Sequence, residues 1–136
     1  MLALLTLLLA FDLASVGNEP NLEKRSELAM KNADSAVTAV RDAAQKGDDA
    51  ALKSALDELR ASVDLAVASL EKSGVKPRGS RYYKKAEQAA GQLLRRLNGL
   101  LQSVSVVDQE AIKPEQVHVS EIHDRLLGDI MGKKKK

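Results

Sequence analysis

Residues 47–74, GDDAALKSALDELRASVDLAVASLEKSG, decide the fold. Leu52, Leu56, Leu59, Val63, Ala66 and Leu70 recur at alternating intervals of four and three. That spacing draws one stripe along an α-helix, whereas the faces of a strand repeat every second residue. Asp48 or Asp49 can supply the N-cap oxygen, and Gly74 the left-handed residue that closes the helix.

The same spacing continues upstream. Leu22, Ser26, Ala29, Ala33, Ala36, Val40 and Ala43 form a seam over a helix expected from Pro20 to Lys46. Proline is tolerated in a first turn, where its missing N–H would have no partner, and Gly47 supplies the C-cap. A connection as short as KGDD (46–49) makes these two helices antiparallel neighbours.

Downstream, GVKPRGS (74–80) reads as a loop. Ser80 caps a third helix whose seam is Tyr83, Ala86, Ala90, Leu93, Leu97, Leu100 and Val104. Gly91 and Gly99 lie inside it, at a cost of about 1 kcal/mol each against alanine, and are expected to admit a close neighbour. Ser105 and Asp108 stand in capping-box spacing. They open a fourth helix over 106–131, with Ile112, Val119, Ile122, Leu126 and Ile130 on its apolar face and a kink or break expected at Pro114. Gly132 ends it. The fold class is therefore all-α: an antiparallel up-down-up-down bundle of three long helices and a Pro-kinked fourth. Each helix runs to about 24 residues, too long for helix–turn–helix solenoid repeats.

Composition agrees with that architecture. The chain has 136 residues, single-domain size, and is 44% hydrophobic, mostly Ala, Leu and Val. Aromatics amount to 2%: Phe11, Tyr82 and Tyr83. A core of this kind suits closely packed helices better than sheets. The absence of cysteine removes disulfides, thiol nucleophiles, iron–sulfur clusters and cysteine-ligated zinc.

The N-terminus sets the expected location. Residues 2–11 are apolar except for Thr6, and Asp12 ends the run. Ten residues fall well short of the roughly 20 that a membrane span requires. A short apolar run followed by small residues (ASVG, 14–17) is the pattern of an export signal, although no Lys or Arg follows Met1. Residues 1–17 are read as a cleavable signal peptide, 18–132 as the bundle and 133–136 as a solvated lysine tail. The protein is then exported, to the periplasm or outside the cell.

Few residues suggest chemistry. His118 and His123 stand five apart, about 140° round a helix, so they cannot chelate one metal together. Glu115 and His118 make one ExxH step, half of what a di-iron bundle needs. Met30 on the first helix and His123 on the last resemble the axial pair of four-helix haem-binding cytochromes. That resemblance implies a haem- or metal-carrying alternative, but no CxxCH accompanies it and neither residue occupies a seam. No catalytic residue, cofactor or metal is assigned.

Charge supplies the strongest signal. Residues 18–72 carry 8 Lys/Arg against 11 Asp/Glu, residues 73–107 carry 7 against 1, and residues 108–132 carry 2 against 6. Lys76, Arg78, Arg81, Lys84, Lys85, Arg95 and Arg96 could form a patch for an anionic partner. Alternatively, the third helix is neutralised inside the bundle, with Arg95 and Arg96 reaching acidic residues of the second or fourth helix. The expected function is that of an exported, non-enzymatic bundle working through protein–protein or envelope-surface contacts. A protein partner is expected and nucleic acid is not. No integral membrane span is foreseen in the mature chain, and self-association is open.

Overall fold

The computed structural model describes residues 13–132. Most of the expected signal segment and the whole lysine tail therefore lie outside the described residues. Five helices pack against one another: α1 (Leu13–Gly17), α2 (Leu22–Lys46), α3 (Asp49–Ser73), α4 (Arg81–Ser103) and α5 (Val106–Ile130). The chain is an all-α helical bundle.

Local chemistry fixes the helix ends. Asn21 Oδ1 accepts the Lys24 N–H at 2.9 Å, and Asp48 Oδ1 accepts that of Ala51 at 3.0 Å. The Ser80 and Ser105 hydroxyls cap α4 and α5 in the same way, bonding Tyr83 N and Asp108 N. Helix α2 thus starts at Leu22 and not at Pro20, because the Asn21 side chain offers a capping oxygen that proline lacks. Gly47 and Gly74 close α2 and α3 in left-handed geometry, with φ of 68° and 76°. Helix α5 runs unbroken through Pro114. Pro114 and Glu110, whose carbonyl loses its helical donor, are both exposed, so water can take the missing hydrogen bond's place.

Chain direction alternates along α2, α3, α4 and α5, but spatial order differs from chain order. The α2–α3 face is the most extensive, followed by α4–α5, then α2–α4 and α3–α5. Round the bundle the order is therefore α2, α3, α5, α4, and α2 lies diagonal to α5. Two antiparallel hairpins stand side by side, and parallel helices meet where the hairpins join. The loop 74–80 makes this possible by crossing the end of the bundle, where Val75 packs against the core.

The seams are buried as the spacing predicts, with Leu59, Leu70, Leu93, Leu97, Ile112 and Leu126 among the most enclosed side chains. Met30, Val37, Ala55 and Val67, beside the seams, are buried too, because each helix touches two neighbours. Ala29, Ala33 and Ala36 are fully enclosed, which lets the helices approach closely. Helix α1 packs across the start of α2 and also touches α3, burying Val16.

Among the described residues the buried polar side chains are Ser26, Asn32, Ser62 and Ser69, and the amide among them links two helices. Asn32, 7% exposed, donates through Nδ2 to Glu58 Oε2 at 2.7 Å and to Ser62 Oγ at 2.8 Å, joining α2 to α3. A buried amide of this kind fixes register, because any slide leaves several polar atoms without partners. Asn32→Ala should lower unfolding free energy by about 1–3 kcal/mol in urea melts. Gly99, whose added Cβ would meet nothing within 4 Å, should give the opposite sign. Gly99→Ala gains up to about 1 kcal/mol from helix propensity alone.

Candidate anionic-partner site

The basic residues divide between pairing inside the bundle and facing water. Lys85 Nζ bonds Glu27 Oε2 at 3.0 Å. Arg96 reaches Asp34 Oδ1 at 2.7 Å, the Asp34 carbonyl at 2.8 Å and Thr38 Oγ1 at 2.8 Å. Both cations bind α2, because α4 runs parallel beside it. Arg96 was expected to reach the second or fourth long helix. It binds the first, because the diagonal crossing puts α4 there. Arg95 has no ion pair among the described residues, and neither have Lys76 and Lys84.

Of the cations without an ion pair among the described residues, Lys72, Lys76, Arg78, Arg81 and Lys84 fall together at one end, while Lys31, Lys46, Lys53, Arg95 and Lys113 lie elsewhere. Residues 72–86 contain Lys72, Lys76, Arg78, Arg81, Lys84 and Lys85, and no carboxylate. They cover the last turn of α3, the crossing loop and the first turns of α4. Arg78 lies over the end of α5 and donates to the Met131 carbonyl at 3.4 Å. A Cβ on Gly132 would sit 2.7 Å from the Arg78 guanidinium, which is mobile enough to move aside, so it is the φ of 74° that favours glycine there. Arg81 stacks over the Tyr82 ring at 5.1 Å, and its hydrogen bond to the Tyr82 hydroxyl raises the guanidinium further above its ordinary value. Lys85 Nζ stands 6.0 Å from the same ring. Tyr83 turns inward, and burial pushes its phenol up, aided by the Asp129 and Glu71 carboxylates.

Both histidines brace the bundle. His118 Nε2 lies 2.6 Å from Asp64 on α3, and His123 Nε2 lies 2.8 Å from Glu87 on α4. Glu115, the partner in the ExxH step, is 2.8 Å from Arg60 Nε. Arg125 and Glu71 complete a parallel ladder between α3 and α5. Met30 lines a groove of about 460 Å³ between α2 and α4, over Ala86, Ala89 and Leu93. His123 belongs to the α4–α5 contact, so the structure does not bring together the two residues of the haem reading. Among the described residues no cluster of three or more metal-binding side chains occurs.

Gly91 lies beside His123 Nε2, where an added Cβ would be 3.5 Å away. Gly99 has open space instead, so only Gly91 admits a close neighbour. Sequence pattern alone does not single out Asn32, which lies one position off the seam. The signal available for it was an uncharged polar residue beside an Ala-rich stripe.

No family model, curated protein or solved structure matches this chain.

The Glu27–Lys85 pair has a pH signature. The Lys85 ammonium, by hydrogen bond and charge, holds the Glu27 carboxyl below its ordinary value. Its stabilising contribution is present above the ordinary carboxylate range and is lost as pH falls through the folded value. Thermal melts from about pH 7 to about pH 3 should therefore show a shallower acid decline for Lys85→Met than for the parent. An identical decline in both proteins would show that the pair contributes nothing.

Proposed function

We propose that this protein is an exported, non-enzymatic interaction bundle whose contact surface is the basic end formed by residues 72–86. The observation that carries the reading is the placement of charge. Lys85 and Arg96 bind acidic residues of α2, whereas Lys76 and Lys84 point to water without a counter-ion among the described residues. Unpaired cations concentrated on one surface raise the local potential and favour an anionic partner. The groups that could otherwise serve chemistry are engaged in holding helices together: His118 with Asp64, His123 with Glu87 and Glu115 with Arg60.

Export rests on the apolar run 2–11 and the small residues that follow it. Among the described residues no helix is long and apolar enough to cross a membrane. Cleavage after Gly17 would withdraw Val16 from the core, at a cost of about 1.5–3 kcal/mol on transfer grounds. A chain beginning at Asn18 should therefore melt below the full chain while keeping its helical content by circular dichroism. Mass spectrometry of protein recovered from its host decides the matter. An intact Met1 in the soluble cytoplasmic fraction would end the export reading.

Retention on immobilised heparin tests the contact surface. The full chain should bind at low salt and elute as salt rises, and Lys76→Ala/Lys84→Ala should elute earlier. Equal elution of parent and variant would remove residues 72–86 from the function.

A further inference from the structure

We infer that the groove between α2 and α4 is a binding site for a small amphipathic monocarboxylate. Its apolar body would lie over Met30, Ala86, Ala89 and Leu93, and its carboxylate would meet Ser26 and Lys31. This goes beyond the reading of residues 72–86 as a contact surface, and the two residues that decide it lie on α2, outside that stretch.

The groove exists because α4 turns short side chains, Ala86 and Ala89, toward Met30 of α2. Its volume of about 460 Å³ is that of a small-molecule site. Two ion pairs tie α2 to α4 along it, Glu27 to Lys85 at 3.0 Å and Asp34 to Arg96 at 2.7 Å. Glu27 and Asp34 stand seven residues apart, about 10 Å along the helix. A helix or strand laid along the groove would have to break both pairs, whereas a small molecule fits between them.

A buried hydroxyl without a partner lies in the lining. Ser26 is 2% exposed, and its Oγ finds no hydrogen-bond partner among the described residues, not even the Leu22 carbonyl one turn back. Packing does not ask for that hydroxyl, since alanine fills the next seam positions at Ala29, Ala33 and Ala36. A buried donor is normally satisfied, and a ligand oxygen in the groove can accept from this one. Ser69 shares the property but lies on α3 and is not part of the lining. At Ser26 the hydroxyl is joined by charge.

That charge sets the sign of the ligand. Lys85, by its hydrogen bond, and Lys31 and Arg81, by their charge, all hold down the carboxyl of Glu27, the neighbour of Ser26. Glu23 also acts on Arg81, so three cations there answer two carboxylates and leave one positive charge over. Lys31 is exposed on the rim and makes no ion pair among the described residues, which leaves its ammonium open to a carboxylate. Away from this end the floor is Met30 and Leu93, both buried and apolar.

Octanoate supplies both halves of such a ligand, and its titration into the full chain carrying ¹³C-labelled methionine methyls tests the inference. It should shift the Met30 methyl resonance and saturate at one per chain. Acetate, which lacks the tail, and octylamine, which reverses the charge, should not. Lys31→Gln should weaken octanoate by about fivefold, the worth of one exposed charge pair. Ser26→Ala should weaken it by a similar factor while the melting temperature holds or rises, because an unsatisfied hydroxyl is removed. Ala89→Leu, at a half-buried position, should fill the groove and abolish the shift, with helical content checked by circular dichroism. Equal binding of octylamine, undiminished binding in Lys31→Gln or Ser26→Ala, or saturation in folded Ala89→Leu would overturn the inference. A Met30 resonance that octanoate leaves in place would do the same. None of these results bears on heparin retention, so the contact surface stands or falls separately.

Discussion

The seven residues between α3 and α4 are the constraint on which the rest of this structure depends. A link as short as 46–49 can only turn a helix back beside its predecessor. Seven residues reach about 23 Å at full extension, enough to cross a bundle whose adjacent helices are roughly 8–10 Å apart. By taking the diagonal, the chain sets α4 beside α2 and α5 beside α3. The parallel contacts and the pairing of Lys85 and Arg96 with α2 both follow from that crossing.

Apolar seams alone do not choose between this arrangement and a simple circuit in which α2 would touch α5, since Leu and Ala faces are interchangeable. Polar bonds at the edges make the choice. Glu27 and Asp34 on α2 match Lys85 and Arg96 on α4 in parallel register. Arg60, Asp64 and Glu71 on α3 match Glu115, His118 and Arg125 on α5. Exposed pairs contribute little stability each, and their effect here is on the register in which the faces meet. Asn32 acts similarly within the first hairpin, where a small-residue interface would otherwise allow sliding.

Much of this was legible in the sequence. The four-three spacing locates all four long helices and most of the enclosed side chains, because burial on one stripe is a local property of helical period, but it misses Met30, Val37, Ala55 and Val67, which face a second neighbour. The caps at Asp48, Ser80 and Ser105 are equally local. Neighbour order was not legible, since it depends on which end-to-end path a seven-residue loop takes. The Met30–His123 alternative turned on the same order: Met30 lines the α2–α4 groove, whereas His123 pairs with Glu87 in the α4–α5 contact. The basic stretch was visible as composition. Its division into paired Lys85 and Arg96 and unpaired Lys76 and Lys84 required knowing which helix stands beside α4.

The side-by-side hairpins also set the route by which the chain reaches its native state. Contacts within each hairpin close across one short turn. Those between hairpins join residues 54–62 apart in sequence, from His118–Asp64 to Arg96–Asp34. Because closing larger loops costs more chain entropy, each hairpin is expected to form early and the two to dock late. The ionic ladders are late-forming contacts. Substitutions there should change how fast the native protein opens more than how fast it forms, whereas changes in the α2–α3 interface should slow folding itself.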